Sequence, residues 1–433
     1  MRWYHAGAQQ RNQAHGGYMI DRLEGRDRLR RMVPLLAVAL VVVLVAAGLV
    51  WVAGSQGGTA TGPTALVGTA TASATASATP TDSPTPSPTA SPAPTPTPSP
   101  PPVAATTSGI WLPASQAALA TRHPVAVMID DQAAARPQSG LASADIVYQA
   151  PAEGGIPRYM AIFQTQDPPA IGPVRSSRLY FIAWAAEYRA LYVHVGGAPN
   201  ALAYLRQVTG RLVYDADEFR WGGKAGYLWR ITTRFAPHNV YTSGAKLQAL
   251  AKRVGATAPM TQAAWTFEDD AAYAARPTGG TIVVPYPYNR ISYTYDPFTN
   301  RYRRAVTGQK VQTDAGTKQA IAPANVVILR MRIGALANTP SAGTNQKKHR
   351  LEVQYTGSGD ALVFNNGQLI RARWSKASDA APTLLTYASG PLKGQPVPLV
   401  RGQTFVQVVQ TSLAVTWTIG KVVPRPPGVA NAE

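Results

Sequence analysis

The residues best suited to chemistry fall within one stretch of the chain, from about position 130 to position 240. Arg158 and Glu153 lie in PAEGGIPRYMAIF, Arg175 and Arg178 in GPVRSSRLYF, and His194 interrupts the apolar run LYVHVGG just before Gly196 and Gly197. Arg234, His238 and Asn239 follow in TRFAPHNVYTS. Arginines where a loop enters a helix, beside Gly-Gly turns that let a backbone come close, are a means of holding phosphate or carboxylate groups. The same arginines can equally pair with Glu153, Asp145 and the acids of YDADEF as structural bridges, with His194 a satisfied interior histidine. If the chain is an enzyme, Glu153 or His238 is the candidate acid or base. Asp130 and Asp217 can offer oxygen ligands to a hard divalent cation, although no spacing here is diagnostic and no other cofactor is expected. Ser243 and Lys246 match S-x-x-K, but no K-T-G or S-D-N accompanies them and a helix-capping serine explains the pair.

Composition removes several alternatives. The chain of 433 residues has no cysteine, so disulfides, thiolate metal sites, cysteine nucleophiles and a lipid-bearing cysteine are excluded. It also lacks G-x-x-x-x-G-K-[ST], H-E-x-x-H and G-x-S-x-G, which removes P-loop, zincin and α/β-hydrolase chemistry. The net charge of +19 lies mostly beyond residue 31. Outside a cell that charge would meet wall polymers and anionic headgroups, so nucleic acid is not an expected partner.

The placement outside follows from the N-terminus. Residues 1–31 carry seven arginines against Asp21, Glu24 and Asp27, and the uncharged run at 32–54 follows at once. That run is long enough, at about 1.5 Å per residue, for a single-pass transmembrane helix, and is too long for the apolar part of a cleaved signal peptide. Arginines on its N-terminal side alone put the N-terminus in the cytoplasm, with the protein held by the bacterial cytoplasmic membrane and everything after the anchor extracytoplasmic. Residues 55–108 are a Pro, Thr, Ser and Ala tract, expected to be a disordered stalk on the order of 100 Å long.

Two folded regions are expected beyond the stalk. Residues 109–265 mix short β-branched strands with helical patterns at 176–190, 199–209 and 243–256, an α/β domain. Residues 280–422 read as short alternating segments, a mainly antiparallel β domain with Asn366-Gly367 as its clearest hairpin turn. Residues 423–433 read as a tail.

The block from Pro124 to about Leu250, with GPVRSSRLYFI, YVHVGGAPNAL and APHNVYTS, resembles the YerB-like family of bacterial lipoproteins, a two-part domain of unknown function. The resemblance extends more loosely through YTYDPFTNRYRR, NVVILRMR and RGQTFVQVV. It implies a membrane-attached extracytoplasmic protein in two parts and supplies no reaction. This chain departs from the family in lacking the lipid-bearing cysteine, and in having Gln312 where the resemblance implies a histidine two residues before Asp314. The order of anchor, stalk, strand with terminal Asp, and G-P-V-R-S-S-R is also similar to the LytR-CpsA-Psr phosphotransferases. That analogy would have Arg158, Arg175 and Arg178 hold a polyprenyl pyrophosphate. Two functions follow as expectations: a binding protein for an anionic glycan, polyprenyl phosphate or wall-synthesis protein, or an enzyme acting on phosphoryl or glycosyl bonds.

Overall fold

Alternation within VAVMID organises the centre of the molecule. Val125, Val127 and Ile129 face one core and Ala126 and Met128 the other, so this strand (β1, Val125–Asp130) is buried on both faces. The computed structural model describes residues 100–336 and 350–423. The expected cytoplasmic segment, the 32–54 span, the stalk up to residue 99 and the tail from 424 lie outside the described residues. Among the described residues no helix is long and apolar enough to cross a membrane.

Around β1 runs a ten-stranded mixed sheet. Its further strands are β2 (Ile146–Pro151), β3 (Pro157–Phe163), β4 (Leu191–His194), β5 (Tyr214–Asp217), β9 (Asn325–Met331), β10 (Gly357–Asn365), β11 (Gln368–Lys376), β12 (Leu384–Tyr387) and β13 (Thr404–Gln410). The spatial order is β12-β11-β10-β9-β13-β2-β3-β1-β4-β5. A second, antiparallel sheet of four consists of β6 (Gly280–Pro285), β7 (Arg290–Asp296), β8 (Arg301–Val306) and β14 (Thr416–Ile419).

The result is a mostly β fold with few helices, in two sequence regions. Those regions meet in one sheet: β13, from the second, pairs in parallel with both β9 and β2, Thr404 standing opposite Ile146. Within the 265–280 stretch, Phe267–Glu268 pairs with Leu399–Val400. The folded part also starts before residue 109. Val103–Ala104 pairs with Trp111–Leu112, and Thr107 donates to Gln164 Oε1 from its N–H and its hydroxyl, which draws the end of the Pro-rich tract into the structure.

Helices cover one face of the large sheet. α1 (Leu179–Ala186) is apolar all round and almost wholly buried, as such a helix must be, and α2 (Pro199–Val208) starts with Pro at a position where its missing N–H costs nothing. On the other face lie the four-stranded sheet and α4 (Gly244–Val254), capped by Ser243 accepting from Lys246 N and ended by Gly255 at φ +77°. A single turn, α3 (Glu218–Trp221), follows β5 with Asp217 as its cap. The Asn366-Gly367 turn has positive φ at both positions and joins β10 to β11 as expected.

Candidate functional site

The end of β1 and the two loops beside it form a charged cleft. Asp130, the last residue of β1, is buried, and its Oδ2 lies 3.1 Å from Arg175 Nε and 2.7 Å from His238 Nδ1. Arg175 arrives there because its loop runs alongside β1, Arg175 N donating to Met128 O and Val174 bridging Ile129. His238 arrives at the end of a turn closed by His238 N donating to Phe235 O at 3.0 Å. Arg234 fastens that turn by donating to Ala135 O and to Pro137 O. Asp130 also stands opposite Arg158 of β3 in register.

A second carboxylate continues the cluster. Glu153 accepts two hydrogen bonds from Arg178, at 2.6 and 2.5 Å, in the side-on fork that matches a guanidinium to a carboxylate. Arg158 Nη2 lies 3.7 Å from the same carboxylate, and its Nη1 donates to Ser176 O. Burial, with the adjoining Arg178 and Arg175 charges, pulls the Arg158 guanidinium down to about 10, only part of which Glu153 offsets. Three guanidinium groups, Arg158, Arg175 and Arg178, thus share two carboxylates, Asp130 and Glu153. Among the described residues, the terminal amino groups of Arg175 and Nε2 of His238 have no partner, and both side chains reach solvent, at 20% and 14% exposure.

Burial raises the Glu153 carboxyl, but hydrogen bonds from Arg178 and the Arg178 and Arg158 charges outweigh it and leave the group below its ordinary 4.5. A depressed folded-state value stabilises the fold above the unfolded value, and that contribution is lost as pH falls through the folded one. The stability difference between the chain and Glu153→Gln, about 1–3 kcal/mol at neutral pH, should therefore shrink steadily once pH drops below 4.5. Urea unfolding over that range measures it; a difference that stays constant would show that the ionised carboxylate is not the source.

Other candidates lie apart from the cleft. His194 is fully buried, with Nδ1 2.8 Å from Gly196 O and Nε2 2.7 Å from Asp215 Oδ1, so both ring nitrogens are occupied in the interior. Asn239 accepts from Arg230, which also binds Glu218. Asp217 caps α3 and accepts from Gly196 N. Asp130 is committed to Arg175 and His238, and among the described residues no three His, Asp or Glu side chains gather as a metal site. A separate cavity of about 510 Å3, lined by Leu179, Tyr180, Asn200, Arg332 and Tyr355 among others, includes none of the charged groups of the cleft.

Residues 110–257 match the N-terminal domain, and residues 282–406 the C-terminal domain, of a protein family of unknown function, DUF3048. The Bacillus subtilis (strain 168) protein described as "Putative lipoprotein YerB" is 30% identical over 295 residues, 66% of this chain and 81% of YerB. The chain belongs to the DUF3048 family. The crystal structure of YerB from Bacillus subtilis superposes with a TM-score of 0.60 at 27% identity, covering 73% of this chain and 99% of that one.

Behind the cleft, the two DUF3048 regions are joined by a buried polar network that sequence reading missed. Asp131 accepts from Tyr159 Oη at 3.0 Å, Gln149 Nε2 at 2.7 Å, Asn289 Nδ2 at 2.7 Å and Arg136 at 3.2 Å. Arg304 of β8, fully buried among Tyr159, Tyr293 and Phe405, donates to Gln149 Oε1, Tyr293 Oη and Gln312 Oε1. Gln312 then donates to Gln138, whose amide donates to Asp130 O. Burial raises the Asp131 carboxyl against the pull of Arg304 and Arg136. One signal was available: Arg304 falls between Tyr302 and Val306 on the inward side of an alternating strand.

Proposed function

We propose that this DUF3048 chain is an envelope protein that binds an anionic group in the Asp130 cleft. The observation that carries this is one carboxylate oxygen shared by Arg175 Nε and His238 Nδ1, which holds both side chains in place while their outer nitrogens stay free. Buried carboxylates that orient cationic donors preorganise them for an incoming anion, and Arg158, Arg175 and Arg178 share Asp130 and Glu153 there. The 32–54 apolar run, with arginines on one side only, supports single-pass anchoring with the folded part outside. YerB bears a lipoprotein name, and in this chain, which has no cysteine, a protein anchor would replace the lipid.

Calorimetric titration of the soluble fragment, residues 100–433, with inorganic phosphate tests the reading. Arg175→Ala should weaken binding about tenfold or more, by loss of a charge-assisted contact worth about 1.5–3 kcal/mol. Absence of binding by the unaltered fragment, or equal binding by Arg175→Ala, overturns it.

A second reading, catalysis on phosphoryl or glycosyl bonds, is favoured by the orientation of His238. A carboxylate on Nδ1 leaves Nε2 aimed outward, the arrangement a general base requires. Glu153, held low by two arginines, is the poorer proton donor of the two candidates.

A further inference from the structure

Two aromatic rings stand in solvent beside the cleft. Phe235 is 91% exposed and Phe219 77% exposed; among the described residues Phe298, at 72%, is comparably exposed. Their positions follow from the elements that build the site. Phe235 and His238 are the two ends of the turn that delivers His238 to Asp130, so their Cα atoms are within about 7 Å. Phe219 is the second residue of α3, its N–H held by Asp217 Oδ1, which also holds Gly196 N. The Phe219 ring lies against Gly196, its Cε2 3.0 Å from where a Cβ would stand, and Gly196 O accepts from Ser177 N between Ser176 and Arg178. The ring-bearing loops thus reach the cleft from the His238 side and from the Ser177 side.

Both rings have charged neighbours in sequence, although Ala236 and Pro237, also exposed, follow Phe235. The chain neighbours of Phe219 are Glu218 and Arg220, and Arg234 precedes Phe235. Arg230, 42% exposed, ties Glu218 to Asn239. An acyl chain or a bilayer calls for adjoining apolar side chains. Ring faces set among hydrogen-bonding groups suit a ligand with C–H-rich faces and hydroxylated edges. We propose that the ligand is a sugar bearing an acidic group, its phosphate or carboxylate meeting Arg175 and His238 and its ring stacking on Phe219 and Phe235. This rests on the anion-binding reading and specifies what carries the anion.

Glucose 1-phosphate, inorganic phosphate and glucose, titrated into the 100–433 fragment, separate the possibilities. The expected result is a preference for glucose 1-phosphate over inorganic phosphate of about tenfold, the scale of one good aromatic contact. Phe219→Ala and Phe235→Ala should each remove most of that preference and leave affinity for inorganic phosphate unchanged. Both residues are exposed, so the variants should retain the native circular dichroism spectrum. Equal binding of the two anions, with the phenylalanine variants unaffected, overturns the sugar assignment alone. Failure of either anion to bind removes the anion reading and the sugar assignment with it. Phenylalanine-dependent sedimentation with phosphatidylglycerol vesicles, in place of a sugar preference, would make the rings a membrane contact and also overturn the proposal.

Discussion

Lys376→Met is expected to lower unfolding free energy by about 3–5 kcal/mol, because it strands a buried carboxylate. Lys376 closes β11 and Glu187 follows α1. Both side chains are fully buried, Nζ to Oε1 is 2.9 Å, and all three Nζ donors and both carboxylate oxygens are engaged. Nζ also donates to Asp379 O and Ala381 O, while Glu187 accepts from Thr383 N and Oγ1. Burial pushes the Glu187 carboxyl up and the Lys376 amine down, so attraction between the two only partly offsets the cost of removing them from water. The double substitution Glu187→Leu with Lys376→Met should therefore recover most of the loss. Guanidinium unfolding of the three variants reads the cycle; a double variant as weak as the single one would show that the pair contributes net stability.

Arg304→Met should cost a similar amount, about 3–5 kcal/mol, by leaving Gln149, Gln312 and Tyr293 without this donor and Asp131 with Arg136 as its remaining opposing charge. It should also weaken phosphate binding, since Gln312 and Gln138 link Arg304 to the Asp130 backbone. Stability and affinity are then read on one variant. Loss of stability with affinity intact would limit the network to holding the two regions together.

How much of this was legible depended on whether a partner lay nearby in sequence. A short β-branched run announced β1, alternation announced β10, and Ser243 marked the start of α4, because those signals are local. The grouping of Arg158, Arg175, Arg178 and His238 was legible as a set of residue types, but not as the sharing of Asp130, which depends on a loop packed along β1. A histidine before Gly-Gly suggests a ligand site, but the fold buries the His194 ring and brings its Nε2 to Asp215, two residues from the Asp217 that stands opposite it in register. Glu187 and Lys376 gave no signal at all. One reads as the polar end of a helix and the other as the first residue of a polar loop, and their meeting is a property of the assembled fold.

The place of β13 governs when this molecule can become itself. Its pairing partner β2 was made near the start of the folded part, and β13 itself lies near the end, yet among the described residues it is the hydrogen-bonded seam between the β9 side and the β2 side of the large sheet. Until Thr404–Gln410 has emerged, both flanks must wait with an open edge, and such long-range parallel closure is slow. For a chain made from its N-terminus onward, the sheet is completed only after nearly all of it has been synthesised, so those edges need shielding until then.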